Sequence, residues 1–259
     1  MAEKKYTPMM QHYLKMKEEN PDAILFYRLG DFYEMFFEDA KLVSQELDLV
    51  LTGRSAGVEE KVPMCGVPFH AANSYIQRLV KKGYKVAICE QLEDPSSAKG
   101  LVDRGIIKII TPGTDMDATM DAKSTNYMAS CEISSFEITV IYCELSTGEL
   151  KYQTLQRSLV SLQKALLEQN VSELVCPMTM DKKWMAALEE MAAMVISKHK
   201  KANIDSEDLP LLNGIESESL KEAFALLMAY LKDTQKQHID HFLPIESMDK
   251  DKVLVMDYE

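Results

Sequence analysis

Residues 23–47 hold the feature that most limits how this chain can fold. A short apolar run, Ala23 to Tyr27, leads into Leu29-Gly30-Asp31-Phe32-Tyr33-Glu34-Met35-Phe36-Phe37, and a helix-like run, Phe36 to Leu47, follows. Glycine supplies the backbone freedom of a sharp corner, and aspartate can cap a helix. The pattern therefore predicts that a strand hands over to a helix at Gly30-Asp31. A helix start at that point would also favour anions such as phosphate. Phe26, Tyr27, Phe32, Tyr33 and Phe36 crowd this stretch, more than one small core needs. Adjacent residues at a corner cannot all point inward, so Phe26, Phe36 and one of Phe32 or Tyr33 are expected inside and the other outside.

The chain around this stretch alternates helix and strand. Thr7-Pro8 reads as an N-cap followed by proline at the first helical position, and Asn20-Pro21 ends that helix. Asp48 to Thr52 reads as a short strand and Gly53 to Gly57 as a flexible loop with one cation, Arg54. Val62 to His70 carries Pro63, Gly66 and Pro68 and is expected to be irregular. A helix from Ala71 to Lys82 then meets Gly83, a natural C′ residue. Strands Tyr84–Glu90 and Ile106–Ile110 flank a loop at Asp94–Gly100.

The polar, acidic stretch that follows sets the expected domains: 1–115, a linker at 116–125, and 126–259. The second domain opens with a three-stranded meander at Tyr127–Ile133, Phe136–Leu145 and Gly148–Leu155. A helix, the strand Val171–Cys176, a second helix, a strand at Met194–Ser197 and an amphipathic helix over 217–232 complete it. Three antiparallel strands followed by α-β-α-β is an RNase H-like order. The expected class is α/β: a small mixed α/β domain followed by an RNase H-like α/β domain. The terminal run from Lys252 reads as a strand cut short inside a longer chain.

Composition narrows the functional classes. The charge is −12, which argues against a protein that coats nucleic acid. Its spread is uneven. Residues 1–115 carry 15 Lys and Arg against 17 Asp and Glu, and residues 116–259 carry 14 against 24, so an anionic partner would meet the first half. Five scattered cysteines (65, 89, 131, 143 and 176) form no C-x-x-C pair, which fits reduced cytosol rather than a disulfide or zinc framework. The N-terminus has no apolar signal core, and no apolar run approaches the ~18 residues of a membrane span. A cytoplasmic location is expected, with no membrane partner.

Several chemistries find no motif. A Gly-x4-Gly-Lys-Ser/Thr loop, His-Glu-x-x-His and Gly-x-Ser-x-Gly are all missing from the sequence. His238 and His241 lack a third ligand and read as solvated. An RNase H-like order invites a metal-dependent nuclease, for which Glu144 is a candidate carboxylate. No clear partner for it stands at a strand end, so a non-catalytic scaffold is favoured. Phe32 or Tyr33, exposed beside Glu34 on the less acidic half, suggests a different use. An apolar wedge between base steps unstacks and kinks a duplex, and mispaired steps deform more cheaply. A carboxylate facing phosphates is tolerated there only if it bonds something specific, such as a base edge.

Thr7-Pro-Met-Met-Gln11, Leu25-Phe-Tyr-Arg-Leu-Gly-Asp-Phe-Tyr-Glu34, Pro63-Met-Cys-Gly-Val-Pro-Phe-His-Ala71, Val86-Ala-Ile-Cys-Glu-Gln91, Asp94-Pro95 and Thr111-Pro-Gly-Thr114 occur in this order. Through them the chain resembles the N-terminal part of the bacterial MutS family of DNA mismatch-recognition proteins. The resemblance implies that Phe32 stacks on a mispaired base from the minor groove and that Glu34 hydrogen-bonds it. It also implies DNA-backbone contacts from Arg54, from Pro63 with Met64, and from Arg104. The second domain then corresponds to the family's connector, RNase H-like without nuclease activity, which helps recruit a MutL-type partner. Dimerisation and an ATPase using ATP and Mg belong to regions of the family beyond residue 259, so no cofactor and no catalytic residue are expected here. A homologue acting outside mismatch repair should lack the Phe-x-Glu pair.

Overall fold

The computed structural model describes residues 6–93, 102–116, 125–191, 193–236 and 239–248. The chain divides into two compact units, one built on residues up to Thr111 together with Thr234–Lys236 and the other on the rest from Pro112 onward. The expected boundary stood a few residues later, at 115, and most of the expected linker, residues 117–124, lies outside the described residues, as do the Asp94–Gly100 loop and the run after Lys252.

The first unit is a six-stranded sheet covered on both faces. Helix α1 (Pro8–Glu19) starts as predicted, with the Thr7 hydroxyl accepting from the Met10 amide. Strands β1 (Ala23–Leu29), β2 (Phe32–Phe36), β3 (Thr52–Arg54), β4 (Val62–Pro68), β5 (Lys85–Gln91) and β6 (Arg104–Ile110) lie in the order β3-β4-β2-β1-β5-β6. Only β1 and β5 run parallel. Helices α2 (Phe37–Leu47) and α3 (Ala72–Lys81) pack Ala40, Val43, Leu47, Ile76 and Leu79 on one face with Phe26, Tyr33 and Met35. Met10 and Tyr13 of α1 pack on the other face with Leu25, Tyr27 and Phe36. Helix α3 ends at Gly83, whose amide bonds Val80 while the Tyr84 amide bonds Leu79, a closure that satisfies two free carbonyls.

Three predicted features of this unit are wrong. Gly30-Asp31 is not a strand-to-helix corner. It is the two-residue turn of an antiparallel hairpin, with Leu29 opposite Phe32 and Tyr27 opposite Glu34. Gly30 takes φ +58°, the conformation that the first position of such a turn reserves for glycine. Asp31 therefore caps no helix. The real corner is Phe36–Phe37, where Phe37 adopts φ 52° between the rings of Tyr6 and Tyr13. The start of α2 has no side-chain cap, and its first turn holds Glu38 and Asp39, so it is not the anion site expected at Gly30-Asp31. Val62 to Pro68 is likewise a regular strand. Pro63 and Pro68 stand near its two ends, where a missing N–H costs the ladder least. The short strand expected over Asp48–Thr52 instead begins at Thr52 and includes Arg54.

Strand β2 pairs with β1 only from Tyr27 onward. Where it leaves, a buried side chain takes over. Asp39 Oδ2 accepts the Leu25 amide at 2.9 Å, and Oδ1 accepts Lys17 Nζ at 2.9 Å.

The second unit is a second six-stranded sheet. Strands β7 (Tyr127–Ile133), β8 (Glu137–Glu144) and β9 (Glu149–Gln156) form the predicted meander. Strand β10 (Val171–Pro177) lies parallel to β7, and β11 (Val195–His199) parallel to β10. Together with the short β12 (Glu246–Ser247) the order is β11-β10-β7-β8-β9-β12. The five strands β7–β11 have the RNase H-like arrangement. Helices α4 (Leu159–Glu168) and α5 (Lys182–Glu189) cover one face, and α6 (Glu218–Gln235) covers the other with Leu220, Phe224, Leu227 and Leu231.

Candidate nucleic-acid interface

Period-two alternation along β2 sorts its side chains to two faces. Tyr33 and Met35 enter the core beneath α2 and α3, and Phe36 enters the core beneath α1. Phe32 is on the α1 side but at the turn, where it remains 45% exposed. Of the pair Phe32 and Tyr33, then, Tyr33 is the packed one. Its hydroxyl donates to Glu90, and burial together with that carboxylate raises its pKa.

The elements around Phe32 brace it. Across β4 its neighbour is Pro68, and the Phe69 amide donates to the Asp31 carbonyl at 2.9 Å. Phe69 is itself exposed, and the Arg28 guanidinium lies 3.7 Å from its ring centroid. Arg28 also donates through Nε to the Gly30 carbonyl and pairs with Glu90 at 3.3 Å. The turn is thus held from both sides by a stacked cation and a backbone bond.

Glu34 shares a face with Phe32 and sits opposite Tyr27 on β1 and Gly66 on β4. Its carboxylate pairs with Arg54 Nη1, and its side chain is 14% exposed against 36% for Arg54. Strand β4 lies between them, with Glu34 opposite Gly66 and Arg54 opposite Val62, so the long Arg54 side chain spans the gap. A Cβ at Gly66 would come within 3.5 Å of Glu34 Cγ and 3.2 Å of the Tyr33 carbonyl. Glycine keeps an open lane on β4 beside Glu34.

The other residues expected at this site are placed differently. Pro63 and Met64 stand at the far end of β4, with Met64 opposite Phe36 and half-buried against the α1 side. Met64 is four strand positions from Pro68 and Pro63 five, roughly 13 and 17 Å. Arg104 is buried. Its guanidinium lies 5.4 Å from the Tyr27 ring centroid and donates to the carbonyls of Arg28 and Val102. Because Tyr27 is opposite Glu34, the same sheet face carries Arg104, Tyr27, Glu34 and Arg54 in a band. His12 of α1 adds its Nδ1 to this band, 2.9 Å from the Tyr27 hydroxyl.

Sequence reasoning missed Gly66, Phe69 and Arg28. The alternation Met64-Cys65-Gly66-Val67 between the two prolines would have marked a strand and placed Gly66 on the site face.

Glu144 in the second unit is the carboxylate a nuclease would need. It is buried, and both oxygens are taken by the turn after β8. Oε1 accepts the Ser146 hydroxyl at 2.6 Å, and Oε2 accepts the Thr147 amide at 2.8 Å. Those donors hold its pKa below the usual range despite burial. It closes a turn. His241 Nε2 bonds the Leu145 carbonyl at 2.7 Å, and His238 lies outside the described residues. Among the described residues no group of three His, Cys, Asp or Glu could hold a metal ion, and no helix is long and apolar enough to cross a membrane.

A two-unit α/β chain with an exposed phenylalanine and a carboxylate on one strand is the class these features define. Residues 7–119 match the family model described as MutS domain I. The chain is 44% identical over 256 residues to a protein named DNA mismatch repair protein MutS from Bacillus licheniformis, covering 97% of this chain and 29% of that protein. It is 42% identical over 253 residues to the protein of that name from Bacillus subtilis, with the same coverage. The protein of that name from Listeria monocytogenes is 43% identical over 255 residues, covering 98% of this chain and 30% of its own length. The chain therefore belongs to the MutS family, and it spans a little under a third of the length of these curated relatives.

Proposed function

We propose that this chain recognises mismatched or unpaired bases in duplex DNA. Phe32 acts as a wedge entering from the minor groove, and Glu34 as an acceptor for an edge of the displaced base. One observation carries the reading: of the aromatics between Phe26 and Phe36, Phe32 alone is exposed, and it projects from a braced two-residue turn. A wedge on a rigid strand loses little freedom when it inserts, and weakly stacked mispaired steps open for it most cheaply. Arg54 supplies a phosphate contact, which positions without reading sequence. Pro63, Met64 and Arg104 are carried as backbone contacts by the family resemblance alone.

The second unit serves as a connector to a MutL-type partner, in a cytoplasmic repair assembly whose dimerisation and ATP- and Mg-dependent steps lie outside this chain. It works as a scaffold rather than a nuclease, because Glu144 is consumed by its turn.

The test is a fluorescence-anisotropy titration of labelled duplexes, one fully paired and one with a single mispair, carried to high micromolar protein. Stacking of an aromatic on a base is worth about 1–3 kcal/mol. Phe32→Ala should then cut the preference for the mispaired duplex roughly ten- to a hundredfold. A variant that keeps the wild-type preference overturns the wedge.

A further inference from the structure

The Glu34 carboxylate is already engaged in this structure, with Oε2 accepting from Arg54 Nη1. Among the described residues its only donor is Arg54, and Gly66 leaves open space on β4 beside Glu34. The cation proposed to contact phosphate and the carboxylate proposed to contact a base thus occupy each other. Arg54 cannot swing away to a phosphate without giving up this contact, and Glu34 then loses its donor.

We propose that Arg54 determines specificity, by making its own phosphate contact conditional on what Glu34 finds; this rests on the mismatch reading above. Before binding, the pair is neutral and presents no bare carboxylate to a polyanion. A nearby phosphate competes for Arg54, and a partly exposed pair is weak enough to lose. On a fully paired duplex, the transfer strands Glu34 beside phosphates with no donor. On a mispaired duplex, Phe32 displaces a base whose edge carries an N–H donor. Glu34 then exchanges the guanidinium for that donor, and Arg54 moves to phosphate without leaving a bare charge. The two contacts are one exchange, and each strengthens the other by the same factor. An ordinary phosphate contact would instead weaken binding uniformly when removed.

The test is a double-mutant cycle on the two duplexes. Wild type, Arg54→Ala, Glu34→Ala and the double variant of this chain are titrated by NMR at concentrations where weak binding is still read. Arg54→Ala should weaken mispaired binding about tenfold and paired binding about two- to threefold. In the Glu34→Ala background, Arg54→Ala should weaken both duplexes by the same factor. Arg54→Lys, which keeps the charge, should recover part of the preference. Amide spectra of the free variants must overlay away from β2–β4, which separates a lost contact from a lost fold. In free wild type the Arg54 Nε–H signal should shift on Glu34→Gln, and again on adding mispaired duplex. An equal loss on both duplexes when Glu34 is present overturns the exchange while leaving the Phe32 wedge standing. A wild-type chain that does not distinguish the duplexes overturns both.

Discussion

Replacing Asp39 with alanine should loosen the edge of β1 that β2, the strand carrying Phe32 and Glu34, leaves unpaired. Asp39 is buried in the first turn of α2, where the helix dipole favours its charge. It accepts from the Leu25 amide and from Lys17 Nζ, each at 2.9 Å, and lies 3.4 Å from the Tyr13 hydroxyl. Burial and this carboxylate raise the Tyr13 pKa, so the phenol stays protonated and donates. Removing the carboxylate leaves the Leu25 N–H buried and unpaired, which costs about 1–3 kcal/mol. The pair with Lys17 adds less, because that lysine is partly exposed. Together the loss is about 3 kcal/mol, which at an m-value of about 1.5 kcal/mol/M lowers the urea midpoint of the first unit by roughly 2 M. Asp39→Asn keeps an acceptor for Leu25 and should cost about 1 kcal/mol. The single tryptophan, Trp184, belongs to the second unit, so its fluorescence does not report this transition. Amide exchange at Leu25 and Ile88, followed through a urea series, does. A loss below about 1 kcal/mol for alanine, or asparagine as harmful as alanine, would refute the argument that Asp39 replaces a missing strand.

Three further outcomes follow from the geometry. Gly66→Ala should crowd the Glu34 lane and reduce preference for mispaired duplex several-fold while costing only about 1 kcal/mol of stability, read by anisotropy and urea denaturation side by side. The His12 pKa is lowered from 6.5 by burial and by the Arg104 charge, so between that lowered value and 6.5 the unfolded chain binds more protons than the folded one. Stability should therefore fall as pH drops through this window, and His12→Gln should flatten the slope in pH-dependent thermal melts. Glu173, fully buried in β10, accepts from the Gly113 amide at 2.9 Å, from the Tyr230 hydroxyl at 2.5 Å and from Ser197. Glu173→Gln turns an amide donor toward these donors and should destabilise the second unit by about 2–4 kcal/mol, visible in the Trp184 unfolding curve.

The second unit was largely legible in sequence because its signals are long and agree with one another. A meander of three long strands precedes helices and strands with clear periods. The first unit was legible except at its site, where short-range chemistry is ambiguous. Gly-Asp serves a hairpin turn as readily as a helix start, and a five-residue strand running directly into a helix leaves no punctuation between them. The prolines at 63 and 68 suggested irregularity because proline breaks ladders, yet near the ends of a strand little is left to break. The identity of Phe32 as the outward aromatic was legible as one of two choices, and only the register chose. The Glu34–Arg54 pair was not legible at all. It joins β2 to β3 across the strand that lies between them, from residues 20 apart in sequence.

The hairpin that presents Phe32 has a consequence for how such a sequence can change. In a strand the face of each residue is set by parity, counted from the turn. Adding or removing one residue within Phe32–Phe36 would exchange the two sets of side chains, sending core residues from beneath α2 and α3 to the α1 face and the reverse. Substitutions can drift through this stretch one at a time, each with a modest effect. Its length cannot drift, since an odd insertion or deletion would exchange the packing on both faces of the sheet at once.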